Sequence, residues 1–468
     1  MERLSALDAE FLHVEDGIAH MHLAGACVFE GPIPEYGDVE QLLRSKLHLI
    51  PRYRQRVRSV PLELGRPVWV DDPHFDLGFH LRHAALPAPG DAAALDSLMG
   101  RVMSLPLDRE RPLWEVWFVE GLAQDRWALL FKVHHCMIDG IAGVQLLTVL
   151  LDLTREVEPV EEVPWEPEPE PSGAAKVLDA WSGLASDVAE LGKGLPRALT
   201  NPVDTARTVG TTVGGLARYL RGLAAGEPHS LSGSIGPHRT WSHSEVSLAE
   251  VKQVRAAFGG TVNDVVLAVV AAGYRELLLW RGDDADRAEV TAMVPVSTRR
   301  EDARGVPDNR VSMVLCELPV HLADPLERLR SVQEQMGEAK ASHEADAGEV
   351  VTQAVDLAPP MVVGPLSRLI IRALRRRPQR LIDTVTTNVP GPQFPLYCLG
   401  REMVSYLPYV PIYHGVRVGT AILSYNGKLA FGVTGDRTSV PDVHVMAGAF
   451  PAALDELREL AATRGRAR

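Results

Sequence analysis

The 468-residue chain is poor in three things: cysteine, basic excess and long apolar runs. Its four cysteines, Cys27, Cys136, Cys316 and Cys398, stand far apart, with no CxxC pair. That spacing excludes a zinc ribbon and a thioredoxin-like motif. A disulfide framework is not expected at this density, and a reducing compartment fits best. Lys and Arg number 48 against 61 Asp and Glu, a formal charge of −13. Nucleic-acid-binding domains usually carry a basic excess, so no nucleic-acid partner is expected. The opening residues, MERLSALDAEFLHVEDG, lack the apolar centre of a signal peptide. The longest charge-free run, 384–400, is interrupted by Pro390, Pro392 and Pro395. It falls short of the roughly 20 apolar residues of a spanning helix. The expectation is a cytoplasmic protein whose contact with any membrane is peripheral.

Hydrophobic residues make up 46% of the chain, enough to build the core of two or three domains at this length. The sharpest composition break is Glu156–Pro171, EVEPVEEVPWEPEPEP, which combines seven glutamates with five prolines. Like charges repel and proline resists helix and sheet, so this segment reads as an extended, solvated connector. Helical spacing follows over 174–195, then a Gly- and Thr-rich stretch over 209–223. The expected division is a half at 1–155, connecting segments at 156–235 and a second half at 236–468.

Both halves mix strand and helix patterns. Residues 21–30 and 127–133 read as strands, the second buried, and 39–49 and 141–152 as helices. In the second half Ser247-Leu-Ala-Glu250 resembles a capping box opening a helix to about Phe258. A long buried helix is expected from about Asn263 to Trp280, and strands at 290–296 and 311–320. Asn426-Gly427 between apolar alternations is a hairpin signal. The fold class is therefore α/β (α+β), two layered halves packed together.

Chemistry concentrates in Lys132-Val-His134-His135-Cys136-Met-Ile-Asp139-Gly140. A buried strand delivers two histidines to its end, with a carboxylate four residues after the second and a glycine that eases a turn. Histidine titrates nearest neutrality and can take a proton from a hydroxyl and return it. A satisfied core histidine is an equally ordinary reading. Adjacent histidines point to opposite strand faces, which weighs against a shared metal, and no HExxH or His/Cys cluster completes a site. Cys136 beside histidine is a third possibility, as nucleophile.

The spacing HHxxxDG, His134 to Gly140, resembles the signature of the coenzyme-A-dependent acyltransferases related to chloramphenicol acetyltransferase. The opening Leu4-Ser-Ala-Leu-Asp8-Ala-Glu-Phe11, Pro112-Leu113-Trp114, Asn263-Asp264 and Asn388-Val-Pro390-Gly391-Pro392 resemble motifs of one branch. That branch is the bacterial wax ester synthase/diacylglycerol acyltransferase family, and the matches run through essentially the whole chain. The resemblance implies two chloramphenicol acetyltransferase-like subdomains, each a mixed sheet with helices, around a central tunnel. It implies acyl-CoA as a substrate, a fatty alcohol or diacylglycerol as acceptor, and no bound cofactor or metal. His135 would be the general base, His134 structural, and Asp139 the holder of the loop through an arginine. Asn263, near a helix start, is a candidate oxyanion donor, with N-terminal capping as its commoner use. Asp264 most simply compensates the helix dipole. Pro112, Leu113 and Trp114 would pack the core or shape the substrate cavity, and Asn388–Pro392 reads as a turn that could line the tunnel mouth. A cluster of six arginines among apolar residues at 365–380 fits a membrane or lipid-droplet surface, or coenzyme A phosphates. Two alternatives are a transferase acting on carrier-protein thioesters and a catalytically silent lipid-droplet-binding homologue. Chain-length preference and oligomeric state are not readable from the sequence.

Overall fold

The apolar run expected as a buried strand is one, and the rest of its sheet is arranged around it. In the computed structural model the described residues are 2–138, 143, 147–157, 160–179, 181–182, 230–297, 311–341, 368–369 and 382–466. The first half supplies β1 (Glu2–Arg3), α1 (Ala6–Val14), β2 (His22–Phe29), α2 (Tyr36–Lys46), β3 (Gln55–Arg58), β4 (Val68–Asp71), β5 (Leu81–Ala85), α3 (Ala92–Met103), β6 (Trp114–Leu122) and β7 (Arg126–His134). The second supplies β8 (Ser232–Gly233), β9 (Arg239–Ser247), α4 (Leu248–Phe258), α5 (Val262–Arg281), β10 (Val290–Ser297), β11 (Val311–Leu318) and α6 (Pro325–Ala341). It continues with β12 (Thr384–Pro390), β13 (Tyr397–Cys398), β14 (Arg401–Tyr409), β15 (Gly415–Val416), β16 (Val418–Tyr425), β17 (Lys428–Asp436) and α7 (Val443–Arg466).

Two six-stranded mixed sheets result, in the orders β13-β14-β2-β7-β6-β5 and β11-β10-β12-β16-β17-β9. Strand β7 pairs antiparallel with β2 on one side and β6 on the other, and Trp127 to His134 are all buried. Burial on both faces explains why its sequence is a continuous apolar run instead of an alternation. Its one charged member there, Lys132, donates to the carbonyls of Val102 (3.0 Å) and Leu105 (2.6 Å). These lie at the end of α3, where a cation complements the helix dipole. Burial lowers the Lys132 pKa from its usual value to about 8.

The second half lends a strand to the first sheet. β14, from the second half, pairs antiparallel with β2 from Met403↔Phe29 to Tyr409↔Ala24. Where the sheets meet, Leu407, Tyr409, Ala430 and Trp241 share one buried cluster with Ala26 and Leu130. The Trp241 indole donates to the Pro408 carbonyl at 3.2 Å. Gly432 sits against that same carbonyl so closely that an added Cβ would stand 1.8 Å from its oxygen.

Helix α5 is the buried helix of the second half. Thr261 caps it, and the Asp264 carboxylate answers with a bond to the Thr261 N–H (2.7 Å), a complete capping box. Gly282, in the left-handed conformation, ends it. The cap is therefore Thr261 and not Asn263. Ser247 precedes α4 as expected but makes no side-chain cap, because it is the last residue of β9 and pairs with Lys428. Asn388 also departs from expectation: it lies within β12, opposite Ile422, and not in a turn. The Asn426-Gly427 hairpin joins β16 to β17, both residues having positive φ as a two-residue turn requires. Residues 160–172 of the acidic connector carry no helix or strand and are mostly exposed. Most of the expected 174–195 helix, all of 209–223 and most of the basic cluster lie outside the described residues.

Gly432→Ala would force the sheets apart at Pro408, and we expect it to lower stability by about 1–3 kcal/mol, as overpacking typically does. An unchanged urea midpoint would contradict the close approach.

Candidate active site

The two histidines divide at the exit of β7. His134 is the last strand residue and pairs across the sheet with His22. His135 begins the turn that follows and is only partly buried. Its ring stacks on Phe11 of α1, with centroids 3.8 Å apart and planes 19° apart. Its backbone N–H donates to the Met21 carbonyl at 2.8 Å. Helix α1 and the loop that follows it thus hold His135 from two directions. Asp139 and Gly140, the end of the motif, lie outside the described residues.

His134 turns the other way, into the protein. Its Nδ1 accepts the Cys136 backbone N–H at 3.1 Å, so its proton sits on Nε2, which faces Glu15 Oε2 at 3.5 Å. Glu15 Oε1 faces His22 Nε2 at 3.3 Å and His20 Nδ1 at 3.5 Å, and Oε2 also meets the Arg109 guanidinium. Burial pushes the Glu15 carboxyl up, but the three imidazoles outweigh it and hold the pKa far below the usual carboxylate range. His22, almost wholly enclosed, is lowered to about 3 by burial, against the upward pull of Glu15. Burial also pushes the Cys136 thiol well above its ordinary value, so a thiolate nucleophile is disfavoured there.

The remaining expected residues fall into two groups. Leu113 is buried and accepts the His134 N–H through its carbonyl at 2.9 Å, and the Pro112 carbonyl accepts the Trp114 N–H at 2.9 Å. Trp114 donates its indole N–H to Tyr53 at 2.8 Å and stacks on His80, 4.5 Å between centroids. This stretch packs the core beside the histidines. On the other sheet Asn388 donates from Nδ2 to Asn263 Oδ1 at 3.1 Å. That bond occupies the Asn263 oxygen and leaves its amide N–H groups to donate elsewhere. Asp264 is committed to the capping box.

Sequence reasoning missed Glu15, His20 and His22 as partners of the motif. The signal was a weak one: His20 and His22 stand two apart where β2 begins, a spacing that turns both side chains the same way on extended backbone. A cavity of about 280 Å³ lies beside α1, lined by Ala9, Leu12, Val60 and Leu113 with Arg66 and Arg368. Glu15 and Arg109 also line it, whereas Phe11, on the opposite side of α1, and His135 do not.

The described residues thus form two six-stranded mixed sheets, with a histidine pair where a central strand ends. Residues 4–266 match the wax ester synthase/diacylglycerol acyltransferase catalytic domain, and residues 308–458 match the C-terminal domain of the same group. A probable diacylglycerol O-acyltransferase of Mycobacterium tuberculosis is 38% identical over 456 residues, covering 96% of this chain and 94% of the relative. A putative diacylglycerol O-acyltransferase of the same species is 33% identical, covering 98% of this chain and 90% of the relative. Among solved structures, the wax ester synthase/diacylglycerol acyltransferase of Marinobacter aquaeolei VT8 aligns with a TM-score of 0.69 at 26% identity, covering 98% of this chain and all of the other. The first condensation domain of the calcium-dependent antibiotic synthetase, at 18% identity and a TM-score of 0.57 over 98% and 96%, shares the fold. The chain belongs to the wax ester synthase/diacylglycerol acyltransferase family.

The buried histidine sets an acid limit on stability. Unfolded His22 takes up a proton near pH 6.5, whereas folded His22 resists protonation down to about pH 3, so stability is lost as pH falls through that window. Glu15 acts in the same direction below about pH 4.5, where the unfolded carboxyl binds a proton that the folded one refuses. Urea midpoints measured from pH 7 to pH 4 should fall, and fall less steeply in His22→Asn. Equal slopes would contradict the buried neutral imidazole.

Proposed function

We propose that this protein moves a long-chain acyl group from acyl-CoA to the hydroxyl of a fatty alcohol or of diacylglycerol, with His135 as general base. The observation that carries this reading is the placement of His135. In a chain of this family, it is the partly exposed member of the pair, clamped in orientation by Phe11 and the Met21 carbonyl. His135 takes the proton as the hydroxyl oxygen attacks the thioester carbonyl carbon. The tetrahedral intermediate then collapses, the C–S bond breaks, and the proton returns to the departing thiolate. Atoms balance without an acyl-enzyme, and the disfavoured Cys136 thiolate is not needed. Developing charge on the carbonyl oxygen needs preorganised donors, and the Asn263 amide, oriented by Asn388, is our candidate.

Neutral-lipid substrates imply work at a lipid surface. No single helix among the described residues is long and apolar enough to cross a membrane. The bent pair α4 and α5 comes closest, but the two helices meet at 104°, and the buried residues of α5 belong to the core. Leu178 and Trp181, three residues apart, expose 72% and 60% of their surface and support peripheral contact with a membrane or lipid droplet.

Purified protein given palmitoyl-CoA with hexadecanol or diolein should release thiol and form ester visible by thin-layer chromatography. His135→Ala should lower the rate by ~10²–10⁴-fold without unfolding the protein. Near-normal turnover in that variant would reject the base assignment. Absence of ester from either acceptor in the parent would reject the substrate class.

A further inference from the structure

The mechanism above uses His135 and leaves its neighbour cluster unexplained. Four side chains, Glu15, His20, His22 and His134, converge where polar groups are costly to bury. The side chains of His22 and His134 are at most 2% exposed, and those of His20 and Glu15 are 7% and 8% exposed. None of the three imidazoles reaches Glu15 within normal hydrogen-bonding distance, the gaps being 3.3–3.5 Å. The carboxylate nonetheless sits at their centre, and two cations adjoin it. Arg109 contacts it directly, and the buried Lys132 lies nearby on the strand that carries His134.

The segment that contains Glu15 is also the segment that holds His135. Phe11 lies four residues before Glu15 and stacks on the His135 ring. Met21 lies six residues after it and accepts the His135 N–H. Between them, Asp16 tightens the loop by accepting the N–H groups of Ile18 and Ala19, both at 2.8 Å, and it meets His414 at 3.1 Å. At the far end of the contact, His134 is bound to the Cys136 N–H within the same turn as His135.

We infer that Glu15 is a positioning residue for His135: its carboxylate gathers His20, His22 and His134, and through His134 it locks the turn that presents the base. With Nδ1 accepting from Cys136, the Nε2–H edge of His134 faces the carboxylate, whose charge holds that edge in place and with it the 134–138 turn. Three of these groups, Glu15, His20 and His22, have the composition of a divalent metal site, with ligand atoms within 4.8 Å of one another. The adjoining Arg109 and Lys132 charges oppose a doubly charged ion there.

This inference rests on the assignment of His135 as base, and the test separates the two. Full-length Glu15→Gln keeps the shape and removes the charge, and Glu15→Asp keeps the charge. Glu15→Gln should lose ~10–100-fold in kcat with KM for palmitoyl-CoA changed less than about threefold, because a misplaced base costs rate more than binding. Glu15→Asp should recover part of the loss. His134→Asn supplies an oxygen for the Cys136 N–H but ends the contact with Glu15. The double variant Glu15→Gln/His134→Asn should be no slower than the slower single variant, since both break one path. Multiplied losses, or a loss confined to thermal midpoint with normal kcat, would overturn the proposal. So would stoichiometric zinc in the purified parent that Glu15→Gln releases. If the parent makes no ester at all, the function reading fails instead.

Discussion

The arrangement depends on β7 being buried along nearly its whole length and paired on both sides. A one-residue slip there would take Lys132 away from the carbonyls of Val102 and Leu105 and bury its charge without partners. The register of β7 with β2 places His22 opposite His134. The next residue, His135, leaves the sheet at the one point where the loop from α1 can meet it. Position comes from the apolar run, and chemistry comes from where that run stops.

The second constraint is the strand that the second half lends. β14 lies between β13 and β2, so the first sheet is incomplete without residues from the second half. The Trp241–Pro408 contact and the close approach at Gly432 then hold the sheets together. Asn263 and Asn388 belong to the second half, whereas His135 belongs to the first. A reaction that uses both is assembled between halves, and the sheet-to-sheet contact sets its geometry. Burial of His22 and Glu15, both in the first half, costs stability in acid.

Much of this was legible in the sequence because the signals are local. The continuous apolar run of β7, the Asn426-Gly427 hairpin, the buried helix α5 and the proline-glutamate connector all announce themselves within a short window. What was not legible depends on partners distant in the chain. Nothing near residues 401–409 says that they pair with residues 24–29. The assignment of Asn263 as a cap failed for a different reason. Thr261, two residues earlier, and Asp264 together form a stronger cap, which frees Asn263 to meet Asn388. Asn388 looked like a turn because two prolines and a glycine follow it, yet pairing with β16 extends the strand through Pro390. Glu15 was passed over because two of the three histidines it faces, His20 and His22, stand outside the motif.

The claim at the centre is geometric: one imidazole, at the exit of β7, stands between a thioester and a hydroxyl. A crystal structure with a non-hydrolysable acyl-CoA analogue and an alcohol bound tests it most directly. The account predicts the acceptor oxygen within about 3.2 Å of a His135 ring nitrogen, with the thioester carbonyl carbon adjacent. An acyl chain seated in the cavity on the far side of α1, with its thioester remote from His135, would contradict it.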